Sequence, residues 1–151
     1  MTVKTSGSSE DTAILPLAAS LRLAVARLAR RLRQQAEADV TPSMLSALNT
    51  IERHGPMTLS DLAAHERVQP PTITSVVGRL EGAGMIARET DPHDRRVSHV
   101  SLSPQGARFV EATRSRKTAY LARRLRRLSE EDRATLARAT ELLERLIEED
   151  S

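Results

Sequence analysis

The chain of 151 residues is long enough for one compact domain or for one subunit of an interlocked dimer, and 28% of its residues are charged. Its net charge of +3 is too small to indicate a nucleic-acid ligand by itself, and the absence of cysteine excludes disulfides and thiolate chemistry. Charge is nevertheless unevenly placed, since basic residues crowd residues 108–127 and acidic residues dominate residues 130–150.

The amino-terminal residues give little sign of structure or of a targeting signal. Residues 1–11 are rich in Ser, Thr and Gly, and we expect them to form a disordered tail. The apolar stretch over residues 13–19 is too short for a membrane span, is soon followed by Arg22 and Arg27, and has only Lys4 before it. The sequence therefore predicts a cytoplasmic protein that does not contact a membrane.

Two helices are predicted next, and the first of them needs a partner. A helix from about residue 15 to 38 carries an apolar stripe that includes Leu17 and Leu21, flanked by arginines. A lone helix of that length requires another surface against such a stripe. The second helix begins at Thr41-Pro42, a cap followed by a proline that the first turn allows, and runs to Gly55.

A pair of short helices follows. Thr58-Leu-Ser-Asp61 has the form of a capping box and opens a helix that ends near Arg67. Pro70-Pro71 is tolerated only in a first turn, so another helix begins at about Pro70 and stops at Gly82 and Gly84. Its apolar residues recur at helical spacing: Ile73, Val76, Val77 and Leu80.

The opposite face of this last helix is small and polar. Such a face suits a helix whose backbone comes close to base-pair edges in a major groove about 12 Å wide. Thr72, Thr74 and Ser75 could donate to phosphates or meet a thymine methyl group, and Arg79 could fork onto a guanine or hold a phosphate. The alternative is a small-residue face that packs against another subunit.

Residues 86–102 are predicted to form a two-stranded ribbon, because β-prone runs flank the turn sequence Asp91-Pro-His-Asp94. Arg95 and Arg96 fall at or just after its tip, where a guanidinium can reach a phosphate or enter a narrow minor groove. Asp94, immediately before them, could fix such an arginine's rotamer by an ion pair. An ordinary solvated turn is the alternative, but a helix pair followed by an arginine-tipped ribbon is typical of DNA-binding domains.

Two further helices complete the chain. Ser103-Pro104 opens a long helix that stops at Ser129, which caps the last helix. The terminal helices are too apolar for free solvation, so we predict that they interlock with their copies in a two-fold dimer rather than form a monomeric bundle. The residues predicted at the dimer interface are Leu17, Leu21, Leu136, Leu143, Leu146 and Ile147.

Several stretches match a known pattern in combination. They are Thr58-Leu-Ser-Asp-Leu-Ala, Thr72-Ile-Thr74, Arg79-Leu80-Glu81, Gly84-Met-Ile-Ala-Arg88, Asp91-Pro-His-Asp94-Arg95-Arg96 and Leu102-Ser-Pro-Gln-Gly106. With them, the run from Thr58 to Gly106 resembles the winged helix-turn-helix of the MarR family of bacterial transcription regulators. The resemblance implies that Thr72, Thr74, Ser75 and Arg79 face the major groove, with Asp94 and Arg95 at the wing tip over the minor groove. Many members carry arginine where this chain has Ser75, so base contacts cannot be copied from relatives.

The resemblance implies a mainly α fold with a small β-hairpin wing. Dimerisation helices would occupy residues 12–38 and 104–150, and the winged helix-turn-helix DNA-binding domain residues 39–103. The function implied is a homodimeric, sequence-specific double-stranded-DNA-binding regulator of an inverted-repeat operator, most often a repressor. The half-sites of such an operator lie about one helical turn apart. A transcriptional activator, or a winged helix that clamps an anionic protein partner through Arg95 and Arg96, are the alternatives.

The family also implies release from DNA by a small, often aromatic acid bound between the dimer helices and the DNA-binding domain. Such a ligand acts only if it favours the non-binding conformation. Stacking on it would rest on Phe109 or Tyr120, and Arg22 could instead pair with a carboxylate.

An enzyme is not expected. The sequence holds no glycine-rich phosphate loop, paired carboxylates or Ser-His-Asp arrangement, so no catalytic residue or cofactor is predicted. His54 and His65 lie near predicted helix ends, and His93 and His99 lie in or beside the hairpin. A metal site that gathers some of them with nearby carboxylates remains an alternative, although the chain has no His-x-x-x-His pair.

Overall fold

The computed structural model describes residues 7–35 and 39–148. Within these residues the chain forms six helices and a small antiparallel sheet. In chain order the elements are α1 (Gly7–Arg33), α2 (Pro42–His54), β1 (Met57–Thr58), α3 (Leu59–Glu66), α4 (Pro70–Gly82), β2 (Ile86–Thr90), β3 (Ser98–Leu102), α5 (Pro104–Leu125) and α6 (Glu130–Glu148). The predicted fold class, mainly α with a small hairpin wing, is confirmed.

Helix α1 begins and ends earlier than predicted. It spans Gly7–Arg33, so residues 7–11 of the predicted disordered tail are helical. Pro16 lies inside the helix, although proline is favoured only in a first turn, and a start near residue 15 is therefore what the sequence indicates. The rest of the predicted tail, residues 1–6, and residues 36–38 lie outside the described residues.

Helices α2 and α3 begin at the predicted caps. Thr41 accepts a hydrogen bond from the Met44 amide at 3.3 Å. Thr58 accepts from the Asp61 amide at 3.1 Å, and its hydroxyl donates to the Asp61 carboxylate at 2.8 Å. The capping box is therefore present, except that the carboxylate is bonded to the threonine hydroxyl and not to the threonine amide.

The sheet has a third strand that the sequence analysis missed. Strands β2 and β3 pair as predicted, with Ile86 opposite Leu102 and Thr90 opposite Ser98. The two-residue strand β1 then pairs with β3 on its other side, which places Met57 opposite Val100. Two residues are too few to show an alternating pattern, so β1 could not be recognised from the sequence.

The buried core lies between α2, α3, α4, the sheet and the first half of α5. Its fully buried apolar side chains are Leu48, Ile51, Leu62, Val77, Leu80, Val100 and Val110. Because one face of α4 contributes Ile73, Val77 and Leu80 to this core, the orientation of α4 is fixed and its other face points outward.

Helices α1 and α6 contribute little to that core. Among the described residues, none in either helix is buried. The exposed large apolar side chains of the two helices are Ile14, Leu15, Leu17, Leu21, Leu23, Val25, Leu28, Leu136, Leu142, Leu146 and Ile147. So large an apolar surface is unusual for a monomeric protein and marks an interaction surface.

By length and composition alone, Thr12–Arg33 of α1 would be sufficient to cross a membrane. From the sequence, residues 13–19 are too short to span a membrane. The helix is longer than that stretch, and its apolar composition continues to Arg33. A single helix of this kind is a weak indication of a membrane, since helices that pack inside soluble proteins meet the same criterion.

The start of α5 packs directly on the turn that leaves α4, and we call this contact the α4–α5 junction. Ser103 accepts from the Gly106 amide at 3.0 Å, its hydroxyl donates to the Gly84 carbonyl at 2.6 Å, and its amide donates to the Met85 carbonyl at 3.1 Å. A Cβ atom placed on Gly106 would lie 1.9 Å from the Met85 carbonyl oxygen. The junction therefore requires glycine at position 106, because there is no space for a side chain.

We expect Gly106→Ala to lower the free energy of unfolding by about 3 kcal/mol or more, because the clashing atom belongs to the backbone and cannot rotate away. Gly82→Ala is the matched control, since a Cβ atom there meets nothing within 4 Å. Chemical denaturation at one protein concentration measures both. Equal stability of the two variants would contradict the packing described for the junction.

Candidate nucleic-acid interface

The outward face of α4 carries the predicted groove-facing residues. Thr72, Thr74, Ser75 and Arg79 are all exposed, while Ile73, Val77 and Leu80 are buried on the opposite face. The structure therefore places all four side chains on the exposed side of α4, away from its buried face.

The threonine and serine hydroxyls of this face are not equivalent. The Thr74 hydroxyl donates to the Pro70 carbonyl at 2.9 Å, within α4 itself. Within the described part of the chain, the hydroxyls of Thr72 and Ser75 make no such bond and can donate to a ligand. Thr74 is therefore poorly suited to the phosphate-donor role that the sequence allows, and its methyl group becomes the more useful part of the side chain.

Arginines of the hairpin line a groove beside the start of α3. A cavity of about 340 Å³ opens between α3 and the hairpin, lined by Thr58, Leu59, Ser60, Arg88, Arg96, Val97 and Ser98. Arg88 is held by Glu81 of α4 at 3.2 Å. The sequence analysis did not select Ser60 or Arg88 as site residues, because only the fold brings α3 and the hairpin together.

The wing is the turn between β2 and β3, and its conformation is set by two aspartates. The Asp91 carboxylate accepts from the amides of His93 at 2.7 Å and Asp94 at 3.0 Å. Asp94 then binds the Arg96 guanidinium through two hydrogen bonds of 3.1 Å. These contacts hold the turn in one shape without burying it.

The ion pair of the wing involves Arg96, and not the adjacent Arg95. A two-residue separation lets the Arg96 side chain fold back across the turn, and the Arg96 amide also donates to the Asp94 carboxylate at 3.0 Å. Within the described residues, no ion pair involves Arg95. Arg95 is therefore available to a ligand, whereas Arg96 would have to share or leave Asp94.

The histidines occupy two separate places. The rings of His54 and His65 are stacked, with centroids 4.3 Å apart. His99 approaches Asp91 at 3.9 Å. Among the residues that the structure describes, no group of three or more His, Asp or Glu side chains is placed to hold a metal ion.

The predicted interface residues lie mainly at the surface of α1 and α6. Leu17 is 67% exposed, Leu146 57% and Ile147 65%. Leu21 and Leu136 are also exposed, and Leu143 is half-buried. Ile14, Leu15 and Leu142, which the sequence analysis did not select, are exposed to a similar degree.

The three predicted effector-binding residues do not form one pocket in a single chain. Phe109 packs against the core, and the Arg124 guanidinium covers a face of the Tyr120 ring at 4.7 Å. Their positions on α5 are about 16 Å apart along the helix axis, so one small aromatic ring cannot contact both. Arg22 is exposed on α1.

Charged side chains of α5 face both α1 and α2. Arg114 pairs with Glu52 of α2 and with Glu111, and the hydrogen bond that Arg114 donates to Glu52 contributes most to raising the pKa of Arg114. Partial burial, followed by the nearby Arg33 of α1, lowers the pKa of Lys117. Lys117 and Arg33 therefore place two cationic groups near each other between α5 and α1.

Known proteins share this architecture. Residues 40–98 match the sequence profile of the MarR family. The chain is 42% identical over 134 residues to an uncharacterized HTH-type transcriptional regulator of Mycobacterium leprae, which covers 88% of this chain and 94% of that protein. It is 37% identical over 112 residues to the HTH-type transcriptional repressor MdtR of Bacillus subtilis, with 74% and 72% covered. The crystal structure of a proposed transcriptional regulator from Pseudomonas aeruginosa PA01 superposes with a TM-score of 0.80 at 39% identity, covering 89% of this chain and 96% of that one.

The wing ion pair can be tested by titration. The hydrogen bond from Arg96 lowers the pKa of Asp94 below 3.8, so the contact is present at neutral pH and is lost as the pH falls through that lowered pKa. We expect NMR of the carboxyl carbon to return the midpoint toward 3.8 in Arg96→Gln and to leave it unchanged in Arg95→Gln. The opposite pattern would assign the ion pair to Arg95.

Proposed function

Because the chain belongs to the MarR family of DNA-binding transcriptional regulators, we propose that it acts as a homodimeric repressor of an inverted-repeat operator. The observation that carries the proposal is the position of α4. Its buried face fixes the helix in the core, and its exposed face presents Thr72, Ser75 and Arg79 beside an arginine-tipped wing. A helix in the major groove and a guanidinium over the minor groove would read one half-site.

The dimer is proposed from the two terminal helices. Their exposed leucines and isoleucines would be buried against a second copy, and the charges of the helices are complementary. Helix α1 ends in Arg30, Arg31 and Arg33, whereas α6 begins with Glu130, Glu131 and Asp132. We therefore assign dimerisation to residues 12–38 and 104–150 and DNA binding to residues 39–103, with action in the cytoplasm.

Repression and a small effector belong to the proposal for separate reasons. The similarity to a Bacillus subtilis protein named as a repressor favours repression over activation. An acidic effector, aromatic or aliphatic, belongs to the proposal because the family resemblance implies one, and its carboxylate would pair with a cationic side chain such as Arg22 of α1 or Lys117 of α5. The partly covered ring of Tyr120 leaves limited room for stacking, so recognition of the carboxylate by arginine or lysine would dominate.

The test is selection from a random duplex library with the purified chain at near-physiological salt. We expect enrichment of an inverted repeat whose affinity falls steeply with salt, with a log-log slope of about −0.9 per phosphate neutralised. No enrichment would contradict DNA recognition by the free protein and favour a winged helix that binds another protein.

At the wing, Arg95→Ala should weaken operator binding by about 1–3 kcal/mol and leave the dimer intact, because no carboxylate among the described residues competes for its guanidinium. Arg127→Ala removes the same charge beyond the far end of α5 and serves as the control. Fluorescence anisotropy measures both affinities. Equal affinities would remove the wing from the mechanism.

For the dimer, Leu146→Glu should dissociate the protein and abolish operator binding, since a charge at a buried interface position is strongly unfavourable. Glu144→Gln changes a neighbouring exposed residue and should keep the dimer. Light scattering reports the mass of each. A single-chain mass for the wild-type protein at micromolar concentration would overturn the dimer.

A further inference from the structure

In the part of the chain that the structure describes, no packing contact requires glycine at position 78. Gly78 lies in the interior of α4, its backbone is helical, and a Cβ atom added to it would meet nothing within 4 Å. Glycine is the least favourable residue in a helix interior after proline. The fold would therefore be more stable with alanine at this position, and glycine leaves the backbone of α4 uncovered on its exposed face.

Thr74 lies one turn before Gly78 on the same exposed face. Residues four apart on a helix are neighbours, so the Thr74 side chain and the bare backbone at Gly78 form one continuous surface. Since the Thr74 hydroxyl is bonded to the Pro70 carbonyl, the methyl group is the part of the side chain left for outside contact. The surface is apolar and shallow, and its nearest strong donors are on the neighbouring Ser75 and Arg79.

In the major groove, the apolar feature that distinguishes one base from the others is the 5-methyl group of thymine, and a threonine methyl group packs well against it. We propose that Thr74 recognises a thymine methyl group in each half-site, and that Gly78 is the point where the backbone of α4 approaches the bases closely enough for that contact. This inference rests on the proposed function, because it requires α4 to lie in the major groove.

The direct test removes the methyl group from the DNA. The probe is the duplex enriched from the random library, with each thymine of both half-sites replaced in turn by deoxyuridine, which differs only in lacking the 5-methyl group. For the wild-type protein we expect one thymine position whose replacement lowers affinity about fourfold per half-site, the effect of exposing one methyl group.

Two substitutions of Thr74 separate its methyl group from its hydroxyl. Thr74→Ser removes the methyl group, and should lower affinity for the thymine duplex about fourfold per half-site and abolish the difference between thymine and deoxyuridine. Thr74→Val removes the hydroxyl, and should keep both the affinity and the difference. A difference that survives in Thr74→Ser, or disappears in Thr74→Val, would overturn the inference.

Gly78→Ala tests the close approach, because its two effects have opposite signs. The melting temperature should rise by a few degrees at fixed protein concentration, while operator affinity should fall at least tenfold. Gly82→Ala, at the last position of α4 with equally open space, is the control for the melting temperature and should raise it as well. Wild-type affinity in Gly78→Ala would contradict the close approach.

The outcomes also separate this inference from the proposed function. If the wild-type protein enriches no duplex, DNA recognition and the role of Thr74 both fail. If it binds an inverted repeat but no thymine methyl group matters, or the selected half-site has no thymine, the role of Thr74 fails while the proposed function stands.

Discussion

The position of the DNA-binding surface depends on one close contact, between the backbone of Gly106 at the start of α5 and the carbonyl of Met85 after α4. Ser103 reinforces it with a hydrogen bond to the Gly84 carbonyl, and Gln105 adds a bond to the Ala83 carbonyl at 3.3 Å. Helix α4, the hairpin that follows it and the long α5 are thereby held as one body. The orientation of α4 is therefore tied to that of α5.

The DNA-binding domain and the two terminal helices differ in surface chemistry. In the DNA-binding domain, a well-packed core carries the polar face of α4 and a wing with an available arginine. The terminal helices α1 and α6 instead expose apolar side chains that are not buried within the single chain. The first surface suits a polyanion and the second suits another copy of the chain, so the proposed function divides binding and assembly between them. In the proposed dimer, a ligand that moved α5 relative to α1 would change the separation of the two α4 helices.

Local signals in the sequence predicted most of the elements and few of the contacts. The caps at Thr41, Thr58 and Ser103 are predicted because each is marked locally, by a following proline at Thr41 and Ser103 and by the capping box at Thr58. Strand β1 was missed because its pairing with Val100 joins distant parts of the chain. Two side-chain contacts depend on rotamers that the sequence does not specify. They are the ion pair of Asp94 with Arg96 and the hydrogen bond from the Thr74 hydroxyl to the Pro70 carbonyl. The resemblance predicts which residues of α4 face the groove, but it does not indicate which of their atoms are available.

The central claim is that two rigidly held α4 helices read two half-sites at a fixed separation. It is tested most directly by measuring affinity for operators in which base pairs are inserted between the half-sites. Insertion of about five base pairs, half a helical turn, rotates one half-site to the opposite side of the duplex. The proposed dimer predicts that this insertion reduces binding to the non-specific level, whereas unchanged affinity would show that the half-sites are read independently and would contradict the proposal.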